Sequence, residues 1–219
     1  MTYIESVTLE VADVAAARAF YADAFGLGPE LRLRASTDPT AGFRGFSLSL
    51  VVSQPADVNS YVDTALAAGA TVLKPAAKSF WGYGGVVQAP DGTVWQVTTS
   101  TKKDSGPAVR KVDQMVLLLG VADVAVTKRF YVERGLTVAK SFGRKYVEFD
   151  TGSSPVNLAL YGRKAAAKAA GVPPEGSGSH RLTIGGDAGT FTDPDGFAWE
   201  ATGVDRKHPA AADRSTSAA

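Results

Sequence analysis

Cysteine is absent from the 219 residues, which excludes disulfides, thiolate metal sites and a cysteine nucleophile together. A charge excess is absent too: 23 Lys plus Arg stand against 22 Asp plus Glu, so no basic footprint points to nucleic acid or an anionic membrane. No stretch approaches the ~18 consecutive apolar residues of a membrane span, and MTYIESVTLEVADV has no basic region followed by an apolar run. A cytoplasmic protein is expected. The chain also has no P-loop, no GxGxxG after a strand, no GxSxG and no HExxH, which removes the sequence basis for nucleotide, serine-hydrolase or zincin chemistry.

What the chain does have is an ordinary 45% apolar content, enough to bury a core, and an internal duplication. VADVAAARAFY at Val11 to Tyr21 aligns with VADVAVTKRFY at Val121 to Tyr131, with seven identities in eleven columns. Further on, APDGTVWQV at Ala89 to Val97 matches DPDGFAWEA at Asp193 to Ala201. Two anchors in the same order at similar offsets define two modules, expected at residues 1–100 and 112–203. Residues 101–111 have linker composition, and a tail at 204–219 is expected to be disordered.

Each copy carries the same local signals. In SVTLEV, Val7, Leu9 and Val11 alternate with Ser6, Thr8 and Glu10, the pattern of a half-buried strand. Asp13 and Asp123 then stand where a side-chain oxygen caps a helix, and Gly26 and Gly135 where such helices end. In module one a strand in SLSLVV precedes a helix from Asp57 to Gly69. Module two is expected to be trimmed, with RKAAAKAAG as a short helix and no counterpart of the Asp57 to Gly69 helix between HRLTIGG and GTFTDPDG. The PDG triplets suit tight turns leading into closing strands VWQVTT and AWEAT.

The V-A-D-V strand, the F-Y helix, A-G-A-T-V at Ala68 to Val72, WGYGG and PDGxxW[QE], in that order over about 200 residues, resemble the vicinal oxygen chelate superfamily. That superfamily includes glyoxalase I, extradiol dioxygenases, and fosfomycin and bleomycin resistance proteins. The resemblance implies an α+β fold of two tandem βαβββ modules, whose mixed sheets curl into a cup with the helices on the convex side. Alternation then places Ser6, Thr8, Gln96 and Glu200 toward the cup, and Trp95 and Trp199 in the core.

Metal-using relatives place His or Gln on the opening strand, sometimes His on a middle strand, and Glu after the PDG turn. Here those slots match Ser6 and Gln96 in module one. In module two they match His180, Glu200, and Gln114, or Val116 if Gly120 adds no bulge. The two incomplete sets are Gln114, His180 and Glu200, and Ser6, Gln96, Gln114 and Glu200. His208 lies in the tail, so a two-histidine, one-carboxylate iron site cannot be assembled from these positions. The expectation is a metal-independent small-molecule binder without a cofactor, which sequesters an aromatic or drug-like compound as a monomer or homodimer. The alternative is a lyase, isomerase or dioxygenase with a divalent ion on His180, Glu200 and Gln114, or with Glu200 as a metal-free base. Phe80, Trp81 and Tyr83 could wall a flat ligand, or simply form core or dimer contacts. Tyr146, Glu148, Asn157 and Tyr161 are further strand residues with polar groups to offer. His180 has two readings, a cup-lining residue or a strand-end histidine hydrogen bonded near the surface.

Overall fold

A computed structural model of the chain describes residues 2–202; the tail at 204–219 lies outside them. The first half runs β1 (Ile4–Val11), α1 (Val14–Phe25), β2 (Leu31–Ala35), β3 (Thr40–Gly42), β4 (Phe46–Val52), α2 (Pro55–Ala67), β5 (Thr71–Ser79), β6 (Gly82–Gln88) and β7 (Val94–Thr99). The second runs β8 (Val112–Val121), α3 (Val124–Glu133), β9 (Thr137–Phe142), β10 (Tyr146–Asp150), β11 (Val156–Gly162), α4 (Arg163–Ala170), β12 (Gly176–Gly178), β13 (Leu182–Gly186), β14 (Phe191–Thr192) and β15 (Ala198–Ala201). The fold is α+β with mixed sheets.

Local chemistry sets the element ends. The Asp13 carboxylate accepts the Ala16 N–H at 2.9 Å, and Asp123 accepts the Ala125 N–H at 2.8 Å, so both helices start where the duplicated V-A-D-V ends. Gly26 stops α1 at φ 63°, a left-handed conformation that a side chain would disfavour.

Neither sheet belongs to one copy of the repeat. The eight-stranded sheet runs β5-β6-β7-β4-β8-β11-β10-β9, and its central pair joins β4 from one half to β8 from the other. The five-stranded sheet runs β14-β15-β13-β1-β2, again mixing the halves. One face of each sheet meets α1, α2 and α3 in a shared core that includes Leu9, Leu48, Trp95, Leu117, Tyr131 and Trp199. Trp95 and Trp199 are at most 1% exposed and pack on Tyr21, Phe25 and Tyr131 of the helices. Burying each such ring contributes about 2–3 kcal/mol. The stretch at 101–111 is strapped along α2 instead of hanging free. Buried Asp57 accepts the N–H groups of Val109 and Arg110 at 2.6 and 3.0 Å, and Gln54 Oε1 accepts from Ser105 and Gly106.

One helix departs from the expected arrangement. α4 follows β11 as α2 follows β4, yet it lies on the opposite face of the eight-stranded sheet from the shared core. Its buried side is alanine, Ala166, Ala167 and Ala170, in a second cluster with Phe43, Val86 and Val94. The small residues are the cause. A Cβ at Gly120 would come within 2.9 Å of the Ala166 Cβ, so glycine on β8 and alanine on α4 permit contact that larger residues forbid. By contrast α2 offers Val58, Tyr61 and Val62 to the shared core, an apolar stripe that RKAAAKAA lacks.

Candidate functional site

On the five-stranded sheet, register places Ser6, Gly185 and Glu200 in one row, on the face turned away from buried Trp199. Ser6 is fully buried and its Oγ has no hydrogen-bond partner among the described residues; Thr8 is nearly as buried. Glu200 is half-exposed and doubly bonded to Arg34 of β2, with Nη1 and Nη2 donating at 3.0 and 2.8 Å. Arg34 also lies 3.6 Å from Glu10, and Arg32 pairs with Glu5 beside it. The hydrogen bonds from Arg34, more than its charge, hold the Glu200 carboxyl below the usual carboxylate range. A carboxylate committed in this way is a poor general base near neutral pH.

His180 precedes β13 and is fixed between two backbone carbonyls. Nδ1 faces Arg44 O at 2.5 Å and Nε2 faces Asp195 O at 3.0 Å, while the ring stacks on Phe197 at 4.0 Å. Both ring nitrogens are thus covered by backbone oxygens and the ring face by Phe197, which leaves no open side from which a metal could be reached. The position is that of a strand-end histidine anchoring two loops.

The eight-stranded sheet holds a different row. Gln96, Ser49, Val116 and Asn157 are successive partners across β7, β4, β8 and β11, all half-buried, on the face opposite fully buried Leu48, Trp95, Leu117 and Leu158. The β8 register against β11 is unbroken from Met115 to Val121, so Gly120 makes no bulge and Val116 occupies the opening-strand slot. Gln114 sits one row further on, opposite Val51. The Gln96 amide donates to Ser47 Oγ at 2.8 Å. Alternation places Tyr146 and Tyr161 on the same face, in edge contact at 5.0 Å. Burial, then the charge of Glu148, pushes the Tyr146 hydroxyl well above its usual value, and that hydroxyl donates to Glu148 Oε2 at 3.3 Å.

Neither expected ligand set assembles. Gln114 lies on the eight-stranded sheet, whereas Glu200 lies on the five-stranded sheet and His180 precedes one of its strands. The other set splits the same way, into Ser6 with Glu200 and Gln96 with Gln114. Among the described residues no three His, Asp or Glu side chains gather to hold a metal ion. The aromatic wall does not form either. Trp81 and Phe80 are 83% exposed at the β5–β6 turn, and Tyr83 turns to α2, where its hydroxyl donates to Asn59 Oδ1. Of the residues the sequence offers to a ligand, only Tyr161 lines one of the four cavities of 580, 420, 250 and 690 Å³, the last of them.

Two contributors are absent from the sequence reading, Ser49 and Arg34. Ser49 was legible: SLSLVV alternates, and Ser47 and Ser49 must oppose Leu48 and Leu50. LRLRA of β2 alternates as well, but nothing local places Arg34 beside a residue 166 positions away.

No protein-family model and no curated protein matches the chain. Solved structures do. Glyoxalase I from Zea mays superposes with a TM-score of 0.60 at 15% identity, covering 92% of each chain. A putative dioxygenase from Bacillus subtilis superposes at 0.52 with 14% identity, over 84% of this chain and 69% of its own. No helix among the described residues is long and apolar enough to cross a membrane. The chain has the fold of glyoxalase I, which is the fold of the vicinal oxygen chelate proteins that its sequence resembles.

Proposed function

We propose that the protein binds an uncharged, partly aromatic small molecule on the face of the eight-stranded sheet bordered by α4, without a metal ion. The observation that carries this is the row Gln96, Ser49, Val116 and Asn157. It holds no imidazole and no carboxylate, and amide and hydroxyl oxygens alone are poor ligands for Zn, Ni or Fe(II). The residues present do not fit the metal that the fold's catalytic members use. They do suit a neutral ligand: Gln96, Gln114, Ser49 and Asn157 offer donors and acceptors, and the Tyr146–Tyr161 pair offers ring edges.

The curling expected of the sheets is supported, for the five-stranded one, by the Arg34–Glu200 pair. Arg34 is level with Glu10, and Glu200 with Ser6. On a flat sheet their Cα atoms would stand about 19 Å apart, from three strand spacings and four residues. Two extended side chains and the 2.8 Å contact between their ends span only about 15 Å. Curling and twist toward this face close the gap.

The test is a thermal-shift screen of neutral aromatic and drug-like compounds against the full chain, followed by titration of Gln96→Ala and Gln114→Ala. A compound that raises Tm should do so equally with and without chelator, and lose affinity about tenfold in either variant. Stoichiometric divalent metal that survives purification and disappears in Gln96→Ala would overturn the reading. Retained affinity in both glutamine variants would place the ligand elsewhere.

A further inference from the structure

Arg44, just before β4, is only 8% exposed and forms no ion pair among the described residues. Its Nη2 donates to the Thr93 hydroxyl, its guanidinium lies 5.3 Å over the Phe46 ring, and its Nη1 has no hydrogen-bond partner among the described residues. Asp91 acts on it from a distance, but both Asp91 oxygens are engaged, by the Tyr21 hydroxyl at 2.7 Å and the Thr93 N–H at 2.8 Å. Burial correspondingly pulls the guanidinium pKa down from its usual value.

A guanidinium does not escape this cost by deprotonating, so a buried one normally finds an anionic partner. Arg44 lines a cavity of about 250 Å³ beside the β6–β7 turn, with apolar walls from Phe43, Phe46, Val94 and Val172. Gln88 adds an amide, which donates to Gly92 O at 3.2 Å. Glu175 stands at the rim with its side chain exposed.

The geometry points to a second binding site here, for a small monocarboxylate with an apolar body, whose carboxylate pairs with Arg44 while its hydrocarbon fills the space between Phe43, Phe46 and Val172. The site shares no residue with the amide-lined row, which it adjoins through Val94, and its ligand carries the opposite requirement: a negative charge. Apolar walls with one buried cation select a carboxylate over a neutral molecule, because an uncharged ligand leaves the guanidinium without a partner.

Benzoate and its neutral isostere benzamide are the probes, titrated calorimetrically into the full chain. Benzoate should bind in one-to-one stoichiometry, about ten- to a hundredfold more tightly than benzamide, the range for one charge-assisted contact. Arg44→Met should erase that preference. Val172→Phe, which fills the cavity and keeps Arg44, should abolish benzoate binding while the far-ultraviolet spectrum and Tm of the free protein stay near wild type. Equal affinity for the two probes, no benzoate binding, or binding that survives Val172→Phe would overturn the proposal. If Glu175 itself swings onto Arg44 as an internal partner, Glu175→Gln will create benzoate binding that the wild type lacks, which also overturns it.

Discussion

Tyr131→Phe removes one oxygen from the centre of the core and leaves the packing volume intact. The Tyr131 hydroxyl donates to Asp193 Oδ2 at 2.7 Å and accepts the Trp199 Nε1–H at 3.2 Å, both in buried surroundings. Loss of the charged bond and an orphaned indole N–H together cost about 3 kcal/mol. In a chain of this size that lowers Tm by about 10 °C. Tyr21 is the matched residue of the first module and serves as the internal reference. Its hydroxyl donates to Asp91 Oδ2 at 2.7 Å, and Trp95 Nε1, although it acts on that hydroxyl, makes no hydrogen bond of full geometry among the described residues, unlike Trp199. Tyr21→Phe therefore costs about 1 kcal/mol. Asp193 adds a pH signature. Burial raises its folded-state pKa and the Tyr131 bond lowers it, so the variant raises it further. The extra deficit of Tyr131→Phe is then largest above that pKa and shrinks as pH falls through it. Urea denaturation of both variants from pH 4 to 8 reads all of this; equal destabilisation of the two, or a deficit that grows on acidification, would refute the reasoning.

Other perturbations test the remaining assignments. Gly120→Ala should destabilise by about 1–3 kcal/mol in urea, because its Cβ meets Ala166, and Ala166→Gly in the same chain should recover part of that. Glu200→Gln should change stability at pH 7 by less than about 1 kcal/mol, since both partners are half-exposed. The folded-state pKa of Glu200 is depressed, so this small contribution is present above the ordinary glutamate value of 4.5 and lost as pH falls through the folded pKa. The wild-type and variant stabilities should converge in acid. Asp57→Ala should cost about 2 kcal/mol and accelerate hydrogen exchange at Val109 and Arg110, the amides it holds.

The elements bearing the repeat were legible because their signals are local. Asp13 and Asp123 cap helices wherever the chain later packs, and Val7, Leu9 and Trp95 alternate with their neighbours regardless of which strand pairs with them. What was not legible is pairing between distant strands. β4 joins β8 and β1 joins β13, so residues grouped by module separate onto two sheets, and Gln114 parts from Glu200. The Val116 slot turned on a bulge near Gly120, which the unbroken β8–β11 register settles. α4 was expected as a helix but not on the polar face, since its placement depends on Gly120 in another strand.

After the shared tryptophan the duplicated stretches carry Gln96 and Glu200, and the charge difference follows the surroundings of each. Glu200 stands on the smaller sheet, where Arg34 engages both of its oxygens. Gln96 stands on the larger sheet, in a row without charge. Glu148, a carboxylate at the margin of that face, accepts the Tyr146 hydroxyl and lies 4.0 Å from Lys140. A ligand on the larger sheet therefore meets dipoles and ring edges, not free ions, and gains nothing from long-range attraction. Its affinity should stay constant when ionic strength rises from about 0.01 to 1 M, a range over which the screening length falls from roughly 30 to 3 Å. A tenfold loss across that range would mean that an exposed charge, not the amide row, holds the ligand.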